Sequence, residues 1–181
     1  MKHLILFIFL VSTLVANDKA RLLKLYNKGS YLKACHLGFS KFGKNRHDEA
    51  YISLYAYSCL NSDLIDRLAT PVVMLKLTPE GRKNGAFLSA ILMKKKLLHH
   101  ALADGYDIRG VKLPSSSHIL SRVFDLLSEH TGKAKDGVYT LQDKKNPNIV
   151  YRTFMERKAK LPKIVIEKYQ DSIFKERHLY K

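Results

Sequence analysis

The sequence predicts an α+β protein, in which an array of helical hairpins is followed by an antiparallel β-meander. Two observations predict this class. Across residues 18–129 apolar side chains recur at intervals of three and four residues, which is the period of an amphipathic helix. After residue 137, β-branched and aromatic runs alternate with turn-forming clusters, a pattern typical of antiparallel strands. We therefore expect a helical domain over residues 17–130 and a meander of three to four strands over residues 137–181.

The N-terminus has the pattern of a secretory signal peptide over residues 1–16. Lys2 precedes an uncharged apolar run, Leu4–Val15, and Ala16 is followed by polar residues. The run is too short for a spanning helix, which needs about twenty residues, but it suits the roughly 7–15 residues of a signal-peptide core. We expect cleavage after Ala16 and a periplasmic mature protein. An uncleaved N-terminal anchor is the alternative.

The charge balance is strongly basic. The chain has 32 Lys and Arg against 16 Asp and Glu, a net charge of +16. Only Lys2 falls in the expected leader, so the remainder has 31 basic and 16 acidic residues and a net charge of +15. Such a field attracts anionic partners without specifying a fold. Outside the cytoplasm we expect no nucleic acid. The expected partner is a protein with an acidic surface, and peripheral contact with cell wall or membrane is the alternative.

The first hairpin is predicted from two amphipathic segments separated by a turn. Leu22, Leu25 and Tyr26 share one helical face, residues 27–30 form the break, and a second helix begins near Tyr31. The pattern then recurs. We expect the next pair of helices over residues 51–59 and 64–68, and a third pair over residues 79–93 and 97–103.

The spacing of these helices is nearly constant. Tyr31, Leu64 and Leu98 lie 33 and 34 residues apart, and Leu54 and Leu88 lie 34 apart. Internal repeats of this length are typical of helical solenoids.

The first unit carries a motif, Tyr26-x-x-Gly29-x-Tyr31-x-x-Ala34, that resembles the tetratricopeptide repeat family. The later units depart from it, with Ser62 at the turn glycine, Arg67 at the small residue and Lys96 at the third turn. The resemblance covers roughly residues 18–104 and implies an open concave surface that binds proteins or peptides. A non-repetitive helical bundle is the alternative.

Local signals mark the later elements. Thr78-Pro79-Glu80 has the N-cap, first-position proline and acidic first turn of a helix start. After Pro114 the serines at 115–117 open a further helix, expected over Ser117–Glu129 and able to close the array. The expected strands are Val138–Gln142, Asn148–Met155, Lys163–Tyr169 and Ile173–Tyr180.

The two cysteines, Cys35 and Cys59, are predicted to form a structural disulfide. An isolated pair in an oxidising compartment is usually bridged, and the two residues fall on neighbouring helices of the expected array. Two buried free thiols are the alternative. A redox role is disfavoured because no Cys-x-x-Cys motif is present.

Candidate binding residues are basic and aromatic. Lys94, Lys95 and Lys96 end the first helix of the third predicted pair and adjoin His99 and His100, which suggests a basic ridge for an acidic partner. The simpler explanation of the three lysines is that they stabilise a helix C-terminus. Tyr55 and Arg67 are the candidates for a partner groove, because aromatic and arginine side chains dominate interface energetics.

No pattern of catalytic, metal-binding or cofactor-binding residues is apparent, so we expect no enzyme activity, no metal and no cofactor. The leading expectation is a non-enzymatic periplasmic scaffold that binds other proteins. The resemblance extends to small exported proteins that accompany envelope machines such as flagellar motors, which implies an accessory subunit. A basic module that binds cell wall or anionic lipid is one alternative. A small enzyme using His99, His100, Asp104 and Asp107 is the other.

Overall fold

The computed structural model describes residues 18–157 and 161–181, so the predicted signal peptide and its cleavage site lie outside the described residues. Seven helices precede four strands within these ranges, which confirms the α+β class with a C-terminal antiparallel meander. The helices are α1 (18–27), α2 (Tyr31–Ser40), α3 (Phe42–Asn45), α4 (Glu49–Leu60), α5 (Ala69–Met74), α6 (Pro79–Asp104) and α7 (Ile119–Ser128), with a 3₁₀ turn at Ile65–Leu68.

The strands are β1 (Tyr139–Gln142), β2 (Ile149–Glu156), β3 (Lys163–Gln170) and β4 (Ile173–Tyr180). Their bounds agree with the predicted strands to within one residue. The chain divides into two compact units between Leu88 and Ser89, a point that lies within α6. Among the described residues, no helix combines the length and the apolar character that crossing a membrane requires.

The first unit is built on close packing between α2 and α4. Gly38 makes this approach possible, since a Cβ at that position would lie 2.5 Å from Cδ2 of Tyr55. The hydroxyl of Tyr51 donates a hydrogen bond of 3.1 Å to the carbonyl of Gly38. The predicted disulfide between Cys35 and Cys59 joins the same two helices, with their Cα atoms 4.8 Å apart and both residues fully buried.

The prediction of a third helical hairpin is wrong. Residues 79–104 form one helix of 26 residues, with no break between residues 93 and 97. The three lysines at 94–96 supply neither the glycine nor the proline that interrupts a helix, and lysine is a good helix former. The second pair also differs, because its second member is the 3₁₀ turn Ile65–Leu68 followed by α5. The tetratricopeptide resemblance stays a prediction.

In the second unit, α7 buries the apolar stripe that its sequence predicts. Leu120, Val123, Phe124 and Leu127 are all buried, at the three- and four-residue spacing of one helical face. The strands follow the order β1-β2-β3-β4, and each pairs with the next in the antiparallel sense. The strand order places β4 at an edge of this sheet, and a bulge shifts its register with β3 at Lys168 and Tyr169.

Candidate functional site

An open groove of about 800 Å³ lies in the first unit, along α4 and the first turns of α6. We call it the Tyr57 groove. Its volume is within the roughly 300–1,000 Å³ of ordinary ligand sites. Its described lining residues are Tyr26, His47, Asp48, Glu49, Ala50, Ser53, Leu54, Tyr57, Thr78, Glu80, Gly81 and Asn84.

Asn84 holds the polar part of the groove together. Its amide nitrogen donates to Oγ of Ser53 at 3.1 Å, and its amide oxygen accepts from the hydroxyl of Tyr57 at 3.0 Å. The Tyr57 ring stacks on Phe87 with the centroids 6.0 Å apart. These contacts tie α4 to α6 and fix the orientation of the Tyr57 ring before any ligand binds.

Tyr26 contributes a second aromatic ring from α1. Its hydroxyl accepts a hydrogen bond of 3.2 Å from Asn61, and its ring meets Tyr31 edge to face at 5.2 Å. Burial raises the pKa of Tyr57, and the nearby Tyr26 and Glu80 raise it further. Tyr57, Tyr26 and Glu80 therefore lie close together in the lining of the groove.

The carboxylate of Glu49 is fully occupied at the start of α6. It accepts hydrogen bonds from the backbone N–H groups of Lys76, Leu77 and Thr78 at 2.5, 2.7 and 2.7 Å, and from the Thr78 hydroxyl at 2.5 Å. These hydrogen bonds lower the pKa of Glu49 to about 2. The bond from the Thr78 hydroxyl has the largest effect, and the backbone bond from Leu77 has the next largest. Gly81 leaves room for this carboxylate, which a Cβ would overlap.

Asp48 lies next to Glu49 and caps α4. Its carboxylate accepts from the backbone N–H of Tyr51 at 3.1 Å and pairs with Lys19 at 2.8 Å. Burial acts to raise the pKa of Asp48, but the bonds from Lys19 and Tyr51 outweigh it and lower the pKa. Both acidic residues are thus engaged in structure, and neither is a free base for catalysis.

The lining of the Tyr57 groove is partly aromatic and apolar and partly polar. It combines apolar and aromatic walls with a few fixed amide and hydroxyl groups, the composition typical of sites that orient a ligand. Within residues 18–157 and 161–181, no cluster of three or more His, Cys, Asp or Glu side chains could hold a metal ion.

The structure places the predicted groove residues Tyr55 and Arg67 together, but not in the Tyr57 groove. Tyr55 is 2% exposed. The guanidinium of Arg67 lies 4.5 Å from the ring centre of Phe39. Burial raises the pKa of Tyr55 against the opposing effects of the Arg67 charge and its hydrogen bond. Tyr55 therefore has a structural role in the α2–α4 contact and does not belong to a partner surface.

The structure contradicts the predicted basic ridge, because two of its three lysines are buried. Lys94 is fully buried, with its Nζ atom 2.8 Å from Oγ of Ser121 and 2.5 Å from Oδ1 of Asp125. Lys95 is also buried and donates to the backbone carbonyl of Lys181. Lys96 alone of the three is exposed. The helix continues through this run, so successive lysines point in different directions and two of them face the interior.

The residues suggested for a small enzyme do not converge. His99 is half-buried, whereas His100 is exposed. The ring of His100 stacks on that of Tyr106 with the centroids 4.5 Å apart, and its Nε2 atom lies 3.9 Å from Oδ2 of Asp104. Asp107 instead forms a two-pronged pair with Arg109, and the bonds from Arg109 hold its pKa at about 2. A pocket of about 260 Å³ includes Asp107 among its described lining residues but not the other three.

The residues that build the Tyr57 groove were not selected from the sequence. Ser53, Tyr57, Glu80 and Asn84 come from two helices about thirty residues apart, and no short motif joins them. The start of α6 at Thr78-Pro79-Glu80 was a usable signal, since it places Asn84 one turn beyond Glu80 on the same face. Comparisons with protein-family models, curated proteins and solved structures find no match to this chain.

Proposed function

We propose that this protein is a non-enzymatic interaction protein of the periplasm, and that the Tyr57 groove binds a segment of a partner protein. The observation behind this proposal is the groove itself, which pairs the rings of Tyr26 and Tyr57 with the hydrogen-bonding groups of Ser53 and Asn84. Aromatic anchors with a small number of polar groups are characteristic of protein-binding surfaces.

Two further features favour a location of this protein outside the cytoplasm. The Cys35–Cys59 disulfide suits an oxidising compartment, and the N-terminal pattern is that of an export signal. An accessory role in an envelope machine is part of the same proposal, on the strength of the repeat resemblance.

Site-specific photo-crosslinking in the native envelope tests the proposed groove. A photoreactive residue at Leu54 lies in the groove wall. The matched control at Leu32 lies on α2, is 53% exposed and is not among the described lining residues. We expect one defined protein to be captured from position 54 and not from position 32. The same capture from both positions would overturn the assignment of the groove.

Salt separates this proposal from the alternative of a basic module that binds cell wall or lipid. The Debye length falls from about 10 Å at 0.1 M to about 3 Å at 1 M salt, so binding that depends on surface charge collapses over this range. A partner held by aromatic and apolar contacts should still be captured from position 54 at the higher concentration. Recovery of wall or lipid alone, lost at high salt, would favour the envelope-binding alternative.

A further inference from the structure

We propose that the Tyr57 groove accepts a single Lys or Arg side chain, flanked by apolar residues, from an otherwise acidic partner segment. The cation would lie against the rings of Tyr26 and Tyr57 and near the carboxylate of Glu80. This inference rests on the proposed function and names the chemistry of the segment that the groove holds.

The local charge of the groove differs from that of the whole chain. None of its twelve described lining residues is Lys or Arg, whereas three of them are Asp or Glu, in a chain whose net charge is +16. Asp48 is neutralised by Lys19, and Glu49 is held by the backbone of the α6 start. Glu80 differs, because its side chain is 72% exposed and its pair with Lys83 spans 3.9 Å. Its carboxylate is therefore available to an incoming cation.

The groove also contains two tyrosine rings, Tyr26 and Tyr57. Rings of tyrosine attract a Lys ammonium or an Arg guanidinium placed over their faces, with about 0.5–2 kcal/mol per contact. The hydrogen bond to Asn84 and the stack on Phe87 hold Tyr57 in place, so little side-chain freedom remains to be lost on binding.

Recognition of a basic side chain in the groove is compatible with the net positive charge of the whole chain. A net positive field speeds encounter with an acidic partner, while local contacts decide which segment is recognised. An acidic side chain placed in the groove would face the exposed carboxylate of Glu80, so the acidic residues of the partner belong outside the groove. A basic anchor within an acidic segment satisfies both requirements.

Selection from a displayed library of random peptides against the purified protein tests this inference. We expect the selected sequences to share one Lys or Arg between apolar residues. For a selected arginine peptide, replacement of the arginine by neutral, isosteric citrulline should weaken binding about tenfold. Glu80→Gln should weaken the arginine peptide about fivefold and leave the citrulline peptide unchanged. Glu129→Gln is the matched control, since Glu129 is exposed and lies outside the described groove lining.

A blocking variant distinguishes failure of this inference from failure of the proposed function. Ala50 is exposed in the groove, so Ala50→Trp fills the site without entering the core. Loss of peptide binding in this variant supports the groove as the site. Groove-dependent peptides without an enriched basic residue, or equal binding to Glu80→Gln, would overturn the basic anchor alone. Peptides that bind Ala50→Trp as well as they bind the native protein would overturn both proposals.

Discussion

Glu49 shows how one side chain fixes the position of the groove. Its carboxylate takes up the free N–H groups before α6, which would otherwise lack partners at the start of that helix. Because Glu49 is the first residue of α4, the same contacts join the two helices that line the Tyr57 groove. The groove therefore depends on a residue that is itself unavailable for binding.

The effect of Glu49 on stability should depend on pH. Its folded-state pKa of about 2 lies below the ordinary value of 4.5. Its stabilising contribution is therefore fully present above about pH 4.5 and is lost as the pH falls towards about 2. Urea denaturation should show that Glu49→Gln lowers the unfolding free energy at neutral pH. The difference from the native protein should shrink as the pH approaches 2.

Glu80→Gln is the control for this pH dependence, because the Glu80 carboxylate is largely exposed and its pair with Lys83 is long. Exposed pairs of this kind contribute about 0–1 kcal/mol. A difference between Glu49→Gln and the native protein that stays constant from neutral pH to about pH 2 would contradict the role assigned to the Glu49 carboxylate.

At the level of single residues, helix caps formed by neighbours in sequence could be predicted, whereas caps formed by distant residues could not. The hydroxyl of Thr78 caps α6 by accepting a hydrogen bond from the backbone N–H of Gly81, three residues later, as the local pattern predicts. Glu49 reaches the same helix start from 27 to 29 residues away. No periodicity or motif encodes a contact over that separation, because it depends on how α4 and α6 pack.

At the scale of the helices, the Cys35–Cys59 disulfide constrains the α2–α4 contact. The bridged residues are 24 positions apart, and the chain-entropy model assigns such a loop about 3.5 kcal/mol of stabilisation. Reduction should lower the unfolding free energy by about this amount in chemical denaturation. The double variant Cys35→Ala/Cys59→Ala should show a similar loss and no further response to reductant. A native protein that is equally stable with and without reductant would contradict this role of the disulfide.

Lys94 provides a test of the second unit. Removing one partner of a buried ion pair costs about 3–5 kcal/mol, and the 30% exposure of the Asp125 side chain reduces this, so we expect Lys94→Met to lose about 2–3 kcal/mol. Adding Asp125→Asn should recover part of the loss, because the carboxylate is no longer left without its partner. Thermal denaturation of the single and double variants measures both effects.

Lys96→Met is the matched control within the same run of lysines. Lys96 is exposed, and surface substitutions usually change stability by no more than about 0.5 kcal/mol. Equal losses for Lys94→Met and Lys96→Met would contradict the distinction between the buried and exposed lysines.

Helices and strands were predicted well where apolar residues recur at a regular spacing, and less well where that spacing is lost. The strands of the meander and the apolar stripe of α7 follow directly from spacing and turn clusters. The false break in α6 came from aligning Lys96 with a turn glycine, although nothing in residues 94–96 disfavours a helix. The burial of Lys94 was not predictable, because lysine is normally exposed and its partners, Ser121 and Asp125, lie on another helix.

For the whole molecule, the excess of basic residues extends over both parts of the sequence. From Asn17 to Gly132 there are 18 basic and 10 acidic residues, and from Lys133 onward there are 13 and 6. Even if every acidic side chain formed an ion pair, fifteen basic side chains would have no acidic counterpart. Mutual repulsion among these charges destabilises a compact chain, and it is strongest when little salt is present.

Stability should therefore rise with salt at low ionic strength. Increasing sodium chloride from about 0.01 M to about 0.15 M shortens the Debye length from about 30 Å to about 8 Å, which screens the repulsion. Salt also weakens exposed ion pairs such as Lys168–Glu176 and Lys144–Glu129, but each contributes only about 0–1 kcal/mol. Because the unbalanced charge is distributed over the whole chain, we expect repulsion to dominate and the unfolding free energy to rise by about 1 kcal/mol. Urea denaturation across this range measures the change, and a steady fall in stability would show that the surface pairs outweigh the net charge.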